Sequence, residues 1–151
     1  MSNTYYLAPD DWLNIVLRLC LALLMGSIIG IEREVRNKPA GLRTHMLVCL
    51  GSAVFTLMPL QIVTLQPSSD AISRVIQGIA AGVGFLGAGE IVSQSSKKSQ
   101  RLEIHGLTSA ASIWVSAGLG IAAGLGLWRL GLIGAVLTFI VLNLFKRLED
   151  M

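Results

Sequence analysis

Charge is scarce in this sequence. Only 14% of its 151 residues are Asp, Glu, Lys or Arg, while 53% are hydrophobic and the mean hydropathy is +0.67. That composition speaks against a water-soluble domain, which carries about 25% charged residues. Cysteine is nearly absent too. Cys20 and Cys49 both fall in apolar runs, where a free thiol behaves as a small hydrophobe, so no disulfide or metal framework is implied. Aromatic residues make up 6% of the chain and none interleaves with a basic stripe. The net charge of +3 therefore does not point to nucleic acid. An enzyme lacks support as well, because no nucleophile, base and orienting group stand in a recognisable pattern and no metal-ligand spacing appears.

What the chain has is long apolar runs. They cover residues 12–31, 42–63, 72–92, 107–127 and 130–145. Each is close to the roughly 20 residues that cross about 30 Å of hydrocarbon as a helix, although the last is short and needs its flanks. The expected fold is all-α: a polytopic membrane bundle of five transmembrane helices forming a single domain over residues 1–151. A cleaved signal peptide does not fit the first run, since the leader "MSNTYYLAPDD" is acidic and the basic cluster "IEREVRNK" follows the run. With five spans, one face of the membrane receives Arg33, Arg36, Lys38 and Arg43, then Lys97, Lys98 and Arg101, then Lys146 and Arg147, which is nine of the 12 basic residues. The opposite face has Arg74 and Arg129, with Arg18 inside the first span. The positive-inside rule places the N-terminus outside and the C-terminus in the cytoplasm.

The third run contains "GVGFLG", a literal G-x-G-x-x-G. A dinucleotide site needs a strand before this motif, a helix after it and an acid about 20 residues on. Here "VIQGIAA" continues a helical pattern and "SQSSKKSQ" reads as a polar loop, so the glycines read as a packing surface or a local unwinding of a membrane helix. At 3.6 residues per turn, Ile72, Val75, Ile76, Ile79, Val83 and Leu86 share one side, which suits lipid. The remainder, with Asp70, Arg74, Gln77, Gly82, Gly84, Gly87 and Gly89, is expected to pack against other helices. Glu90 falls on the lipid-facing side. Asp70, Arg74 and Gln77 form a polar stripe entering the membrane, and ionisable groups there are functional candidates, although Asp70 also serves as a helix cap and Arg74 as its partner.

The other motifs flank the spans. Gly26 and Gly30 are four apart, as are Gly120 and Gly124, a spacing that lets membrane helices approach closely. Arg18 is expected to snorkel to the interface. Pro39 ends any continuing helix and Gly41 permits a turn. Glu32 and Glu34 either pair locally with Arg36 and Lys38 or offer oxygens to a hydrated Mg²⁺. Together with Asp70 and Glu90 they are the candidate metal ligands. His105 reads as a cap or solvent contact, Trp12 and Trp128 as interfacial anchors, and Trp114 sits in mid-span.

Three stretches in order, "GIEREVRNKPAGLRTHMLVCLGSAVF", "QGIAAGVGFLGAGEI" and "HGLTSAASIWVSAGLGIAAG", resemble the MgtC/SapB family of bacterial membrane proteins. The resemblance covers most of residues 26 to 124. It implies a multi-pass domain of the cytoplasmic (inner) membrane associated with magnesium limitation, acid adaptation and, for pathogens, survival inside host cells. Family members are viewed as regulators that restrain the ATP synthase; magnesium transport was the earlier proposal. The matching positions are Glu32, Arg33, Glu34, Pro39, Ala40, Gly41, Arg43, Thr44 and His45; Arg74, Gly84, Phe85, Leu86, Gly87, Ala88 and Gly89; and Gly106, Leu107, Thr108, Ala110, Ala111 and Trp114. Longer members continue into a cytoplasmic domain resembling ligand-sensing ACT modules, whereas this sequence stops soon after its last span and resembles the short form. Glu90 stands where an apolar residue is expected.

Two functions remain in competition. One is a non-enzymatic regulator, with no cofactor, that docks its Gly/Ala-rich faces on a membrane partner or on a second copy. The other is a magnesium or divalent-cation transporter or channel. An ion path usually shows a continuous row of intramembrane acids; here they cluster at the two surfaces, which favours the regulator.

Overall fold

In the computed structural model the described residues are 11–62, 69–98 and 105–149. Five helices account for nearly all of them: α1 (Trp12–Val35), α2 (Leu42–Ile62), α3 (Ser69–Lys98), α4 (Leu107–Gly124) and α5 (Trp128–Glu149). Four are long and apolar enough to cross a membrane, over Trp12–Val35, Leu42–Gln61, Asp70–Ser93 and Leu107–Gly124; the apolar part of the fifth, Trp128–Asn143, is shorter. The all-helical expectation holds. Arg101 and the side chains of Lys97, Lys98, Lys146 and Arg147 lie outside the described residues.

Local chemistry sets the helix ends. Asp11 caps α1, its Oδ1 accepting from the Asn14 amide at 3.2 Å. The helix then runs four residues past the apolar segment before Asn37 adopts a left-handed φ of 51°. The Lys38 amide reaches back to the Arg33 carbonyl and the Asn37 amide to that of Glu34, both at 2.9 Å, which is a Schellman closure. The same closure ends α4, where Leu127 and Gly126 donate to Ala122 and Ala123 and Gly126 has a φ of 76°. These two turns make α1/α2 and α4/α5 consecutive hairpins. α3 is a continuous helix through Lys98. This corrects two expectations, a local unwinding at its glycines and a polar loop from Ser93 onward.

α4 lies at the centre, in contact with each of the other four helices. Its residues explain why. Ser109, Ser112, Ser116, Ala117, Gly120, Ala123 and Gly124 are all buried, and small side chains let backbones approach where hydrophobicity cannot drive helices together in lipid. A Cβ on Gly120 would collide with the Cys49 carbonyl and lie 2.8 Å from Ser52 Cβ; one on Gly124 would lie 2.9 Å from the Ala53 carbonyl. On α1, Gly26 and Gly30 do the same for the start of α2, where a Cβ would meet the His45 carbonyl at 2.8 Å and Leu42 Cα at 2.7 Å. Both four-spaced glycine pairs therefore seat α2, one on each side. Met25, Ile29, Cys49, Ala53, Leu119, Ala123 and Ala135 close the core among α1, α2, α4 and α5.

The orientation of α3 reverses the expected one. Ile72 and Ile76 pack with Leu57, Leu60 and Leu125, and Ile79 and Val83 pack with Ala40, Ile113 and Ala117. The aliphatic ridge from Ile72 to Val83 thus faces the bundle, while Leu86 stays exposed as expected. Gly82, Gly84 and Gly89 face open space, while Gly87 alone of these four meets a neighbour, Ala110. The physical reason is that lipid and helix interior are equally apolar, so a branched ridge gains from interlocking with the small residues of α4 rather than from leaving water.

Candidate functional site

The end of the bundle where α1 and α3 finish and α2 and α4 begin gathers the charged residues that the core can hold. Glu32 and Arg33 are in the last turn of α1, with 6% and 3% of their surface exposed, and His45 of α2 is fully buried. Arg33 Nη2 donates to Ser109 Oγ on α4 at 2.8 Å, while its Nη1 is 3.9 Å from Glu32 Oε2. Arg36 brings Nε to 2.6 Å from Glu32 Oε1, the local pairing expected at i, i+4, and reaches Asn143 of α5 through Nη2 at 2.6 Å. Glu90, at the far end of α3's packed face, has its Oε1 buried. Helices α1, α4 and α5 are thus tied through one polar cluster.

His45 extends the cluster inward. Its Nδ1 lies 2.8 Å from the Gly41 carbonyl and its Nε2 3.0 Å from Ser112 Oγ. Ser112 Oγ donates to the Ser109 carbonyl at 2.8 Å and Ser116 Oγ to the Ser112 carbonyl at 2.9 Å. Cys49 Sγ closes the series on the Ser116 carbonyl at 2.9 Å. Glu34 has a different task. Its Oε2 accepts from the Leu42 amide at 2.9 Å and so caps α2, and it rests against Gly41, where any Cβ would strike the carboxylate.

Charge alternation allows this cluster to be buried. Several kcal/mol of desolvation attend each isolated ion in a protein interior, and here the Glu32 carboxylate is set between the guanidinium groups of Arg33 and Arg36. It is not saturated, however. Among the described residues, both Glu32 carboxylate oxygens, Arg33 Nε and Glu90 Oε1 are buried without a partner in hydrogen-bond geometry. The short Arg36 contact to Glu32 is thus an ion pair of poor angle. No three His, Cys, Asp or Glu side chains converge among the described residues in a way that could hold a metal ion.

The remaining residues singled out in the sequence do not join this cluster. Pro39 and Arg43 are exposed at the α1/α2 turn, and Thr44 is half-buried. Asp70, Arg74, Gln77, Gly84, Phe85 and Gly89 lie exposed on α3, and Phe85 keeps 81% of its surface open. Gly106 caps α4 with a φ of 89°. Thr108 is exposed, and Trp114 points away from the bundle with 58% exposure. Glu90 corrects its expected place: being on the ridge side of α3, it has its Oε1 buried in the protein and not turned to lipid. Arg18 is corrected likewise. It is buried with Nη1 on the Gly124 carbonyl at 2.7 Å and Nε on Asn14 at 2.9 Å, because the closing carbonyls of α4 offer a nearer partner than the interface does. Sequence reasoning missed the hydrogen-bond partners Ser109, Ser112 and Asn143. Ser109, Ser112 and Ser116, spaced by three and four residues, were the available signal for a polar face on α4.

A hydrophobic five-helix bundle with a buried polar cluster at one end defines a multi-pass helical membrane protein. The chain belongs to the MgtC family, which it matches over residues 19–151. It is 47% identical over 151 residues to "Protein SrpB" of Synechococcus elongatus, covering 97% of this chain and 83% of that protein. It is 39% identical over 137 residues to "Putative magnesium transporter YhiD" of Escherichia coli K12, covering 88% and 61% of the two chains. It is 38% identical over 132 residues to "Protein MgtC" of Salmonella typhimurium, covering 87% and 52%. The chain therefore spans between half and two thirds of the length of the latter two relatives. No solved structure matches it.

Proposed function

We propose that this chain is a non-enzymatic regulator in the bacterial cytoplasmic membrane, linked to magnesium homeostasis and to growth in acid or low magnesium, which docks on the spanning helices of a partner such as the ATP synthase. The basic residues at the cluster end support a cytoplasmic position for that end, with the N-terminus outside. The name of one relative, "Putative magnesium transporter YhiD", supports the magnesium link. The observation that carries the docking reading is a groove of about 600 Å³ between α2 and α3. Leu47, Gly51 and Phe55 form one wall; Val75, Gly78 and Gly82 form the other. Cβ atoms on Gly51, Gly78 and Gly82 would meet nothing. Such a floor admits the ridge of an incoming helix at close range.

The cation-transporter reading draws on the unsaturated oxygens of Glu32 and Glu90, with Mg²⁺ as cargo. Against it stands the use already made of the acids. Glu32 is flanked by two guanidinium groups, Glu34 caps α2, and Asp70 lies at the start of α3 on its exposed side. A photoactivatable residue at Gly78, in the full chain in its native membrane, tests the regulator. Capture of a subunit of the ATP synthase or of another membrane protein is expected; labelling of lipid alone would remove the docking reading.

A further inference from the structure

We infer that the face of α3 turned away from the bundle is an interface between two copies of this chain. At about 100° per residue, Ala81 lies opposite the packed ridge. Asp70 and Arg74 stand about 20° to either side of it, and Gln77, Gly84 and Ala88 share the same strip. All six are exposed. Deeper in the span the strip consists of Ala81, Gly84 and Ala88 with one large side chain, Phe85, which stands about 40° to the Arg74 side of Ala81 and is 81% exposed; nearer the end it is polar. Exposing an acid, a guanidinium and an amide along a spanning helix to lipid is costly, and such groups ordinarily face protein, so the strip favours a protein partner over hydrocarbon.

The charges specify which partner. In a parallel pair of α3 helices related by a two-fold axis along the bundle, a residue displaced to one side of the interface centre meets one displaced to the other side in the second copy. Asp70 of each copy then faces Arg74 of the other, so the strip is complementary to itself, as an isologous contact requires. Gln77, one turn deeper, adds an amide that both donates and accepts across the same junction. Below it, Phe85 of each copy, displaced to the Arg74 side of the centre, lies over Gly84 and Ala88 of the other copy, whose small side chains leave room for it. The groove between α2 and α3 lies on a different side of α3. The interface therefore leaves it open and does not depend on the docking reading.

The test uses the full chain in lipid nanodiscs loaded at varied protein-to-disc ratios, with subunit stoichiometry read by single-molecule photobleaching. Wild type is expected to form dimers. Gln77→Leu should weaken the dimer by about three- to twentyfold, the range of interhelical hydrogen bonds in membranes. Asp70→Arg should weaken it further, and the exchange Asp70→Arg with Arg74→Asp should restore it. In a Cys20→Ser background, cysteines at positions 81 and 88, near the centre of the strip, should form intermolecular disulfides while one at position 82, in the groove and about 100° away, should not. A monomer at all loadings, a charge exchange that fails to restore pairing, or cross-linking at 82 in place of 81 and 88 would each overturn the inference. Loss of partner capture at Gly78 with these results intact would count only against the regulator reading.

Discussion

Two glycines on α4, two residues apart, separate the packing argument from helix propensity. In Gly120→Ala the new methyl would strike the Cys49 carbonyl and sit 2.8 Å from Ser52 Cβ and 2.9 Å from the Cys49 carbonyl carbon. Carbon contacts are comfortable at about 3.5–4.0 Å, so α2 and α4 must part by roughly an ångström along their closest line. Overpacking of this kind costs about 1–3 kcal/mol. In Gly118→Ala the methyl meets nothing within 4 Å. Both variants gain the same Gly-to-Ala helix preference of about 0.5–1 kcal/mol, which cancels in the comparison. The two proteins should differ by about 1–3 kcal/mol, Gly118→Ala being the more stable. Reversible unfolding in mixed micelles, followed by tryptophan fluorescence, measures the difference. Equal stabilities would refute the claim that α2 rests on the Gly120 backbone.

Further outcomes follow from individual contacts, each read by the same unfolding assay. Arg18→Met should lose about 1–3 kcal/mol, because the Gly124 carbonyl is left buried without its donor; Arg18→Lys should recover part of it. Asn37→Val should cost about 1–2 kcal/mol by forcing a β-branched residue into the left-handed region, while Asn37→Gly should be neutral or better. Glu34→Ala should cost about 0.5–2 kcal/mol through the lost cap on Leu42, and Glu34→Gln, which keeps an acceptor oxygen, should cost less.

Much of this architecture was legible in the sequence, and the rest was hidden for a common reason. Apolar run length alone marks the helices, because hydrocarbon thickness sets how many residues a span needs. The pairs Gly26/Gly30 and Gly120/Gly124 announce close approach, and both deliver it. Facing is another matter. Ile72, Ile76, Ile79 and Val83 look like a lipid face, since periodicity shows which residues share a side but not whether that side meets lipid or an equally apolar neighbour. Once the ridge is turned inward, Glu90 moves from an anomaly in lipid to a carboxylate with a buried oxygen. Arg18 shows the same limit: its long side chain can reach water or a carbonyl, and only the end of α4 decides between them. In the cluster, Glu32, Arg33 and His45 were identifiable by residue type. Ser109, Ser112 and Asn143 were not, because serine and asparagine in a membrane helix also bond to their own backbone, as Ser112, Ser116 and Asn143 do here.

On the proposed reading the buried Glu32 carboxylate helps to hold the bundle together and carries no ion. Magnesium flux into proteoliposomes containing the purified full chain, followed with an entrapped magnesium-sensitive dye under an imposed gradient, is the decisive measurement. Uptake no faster than in protein-free liposomes is expected. Uptake above that background which Glu32→Ala abolishes would overturn the reading.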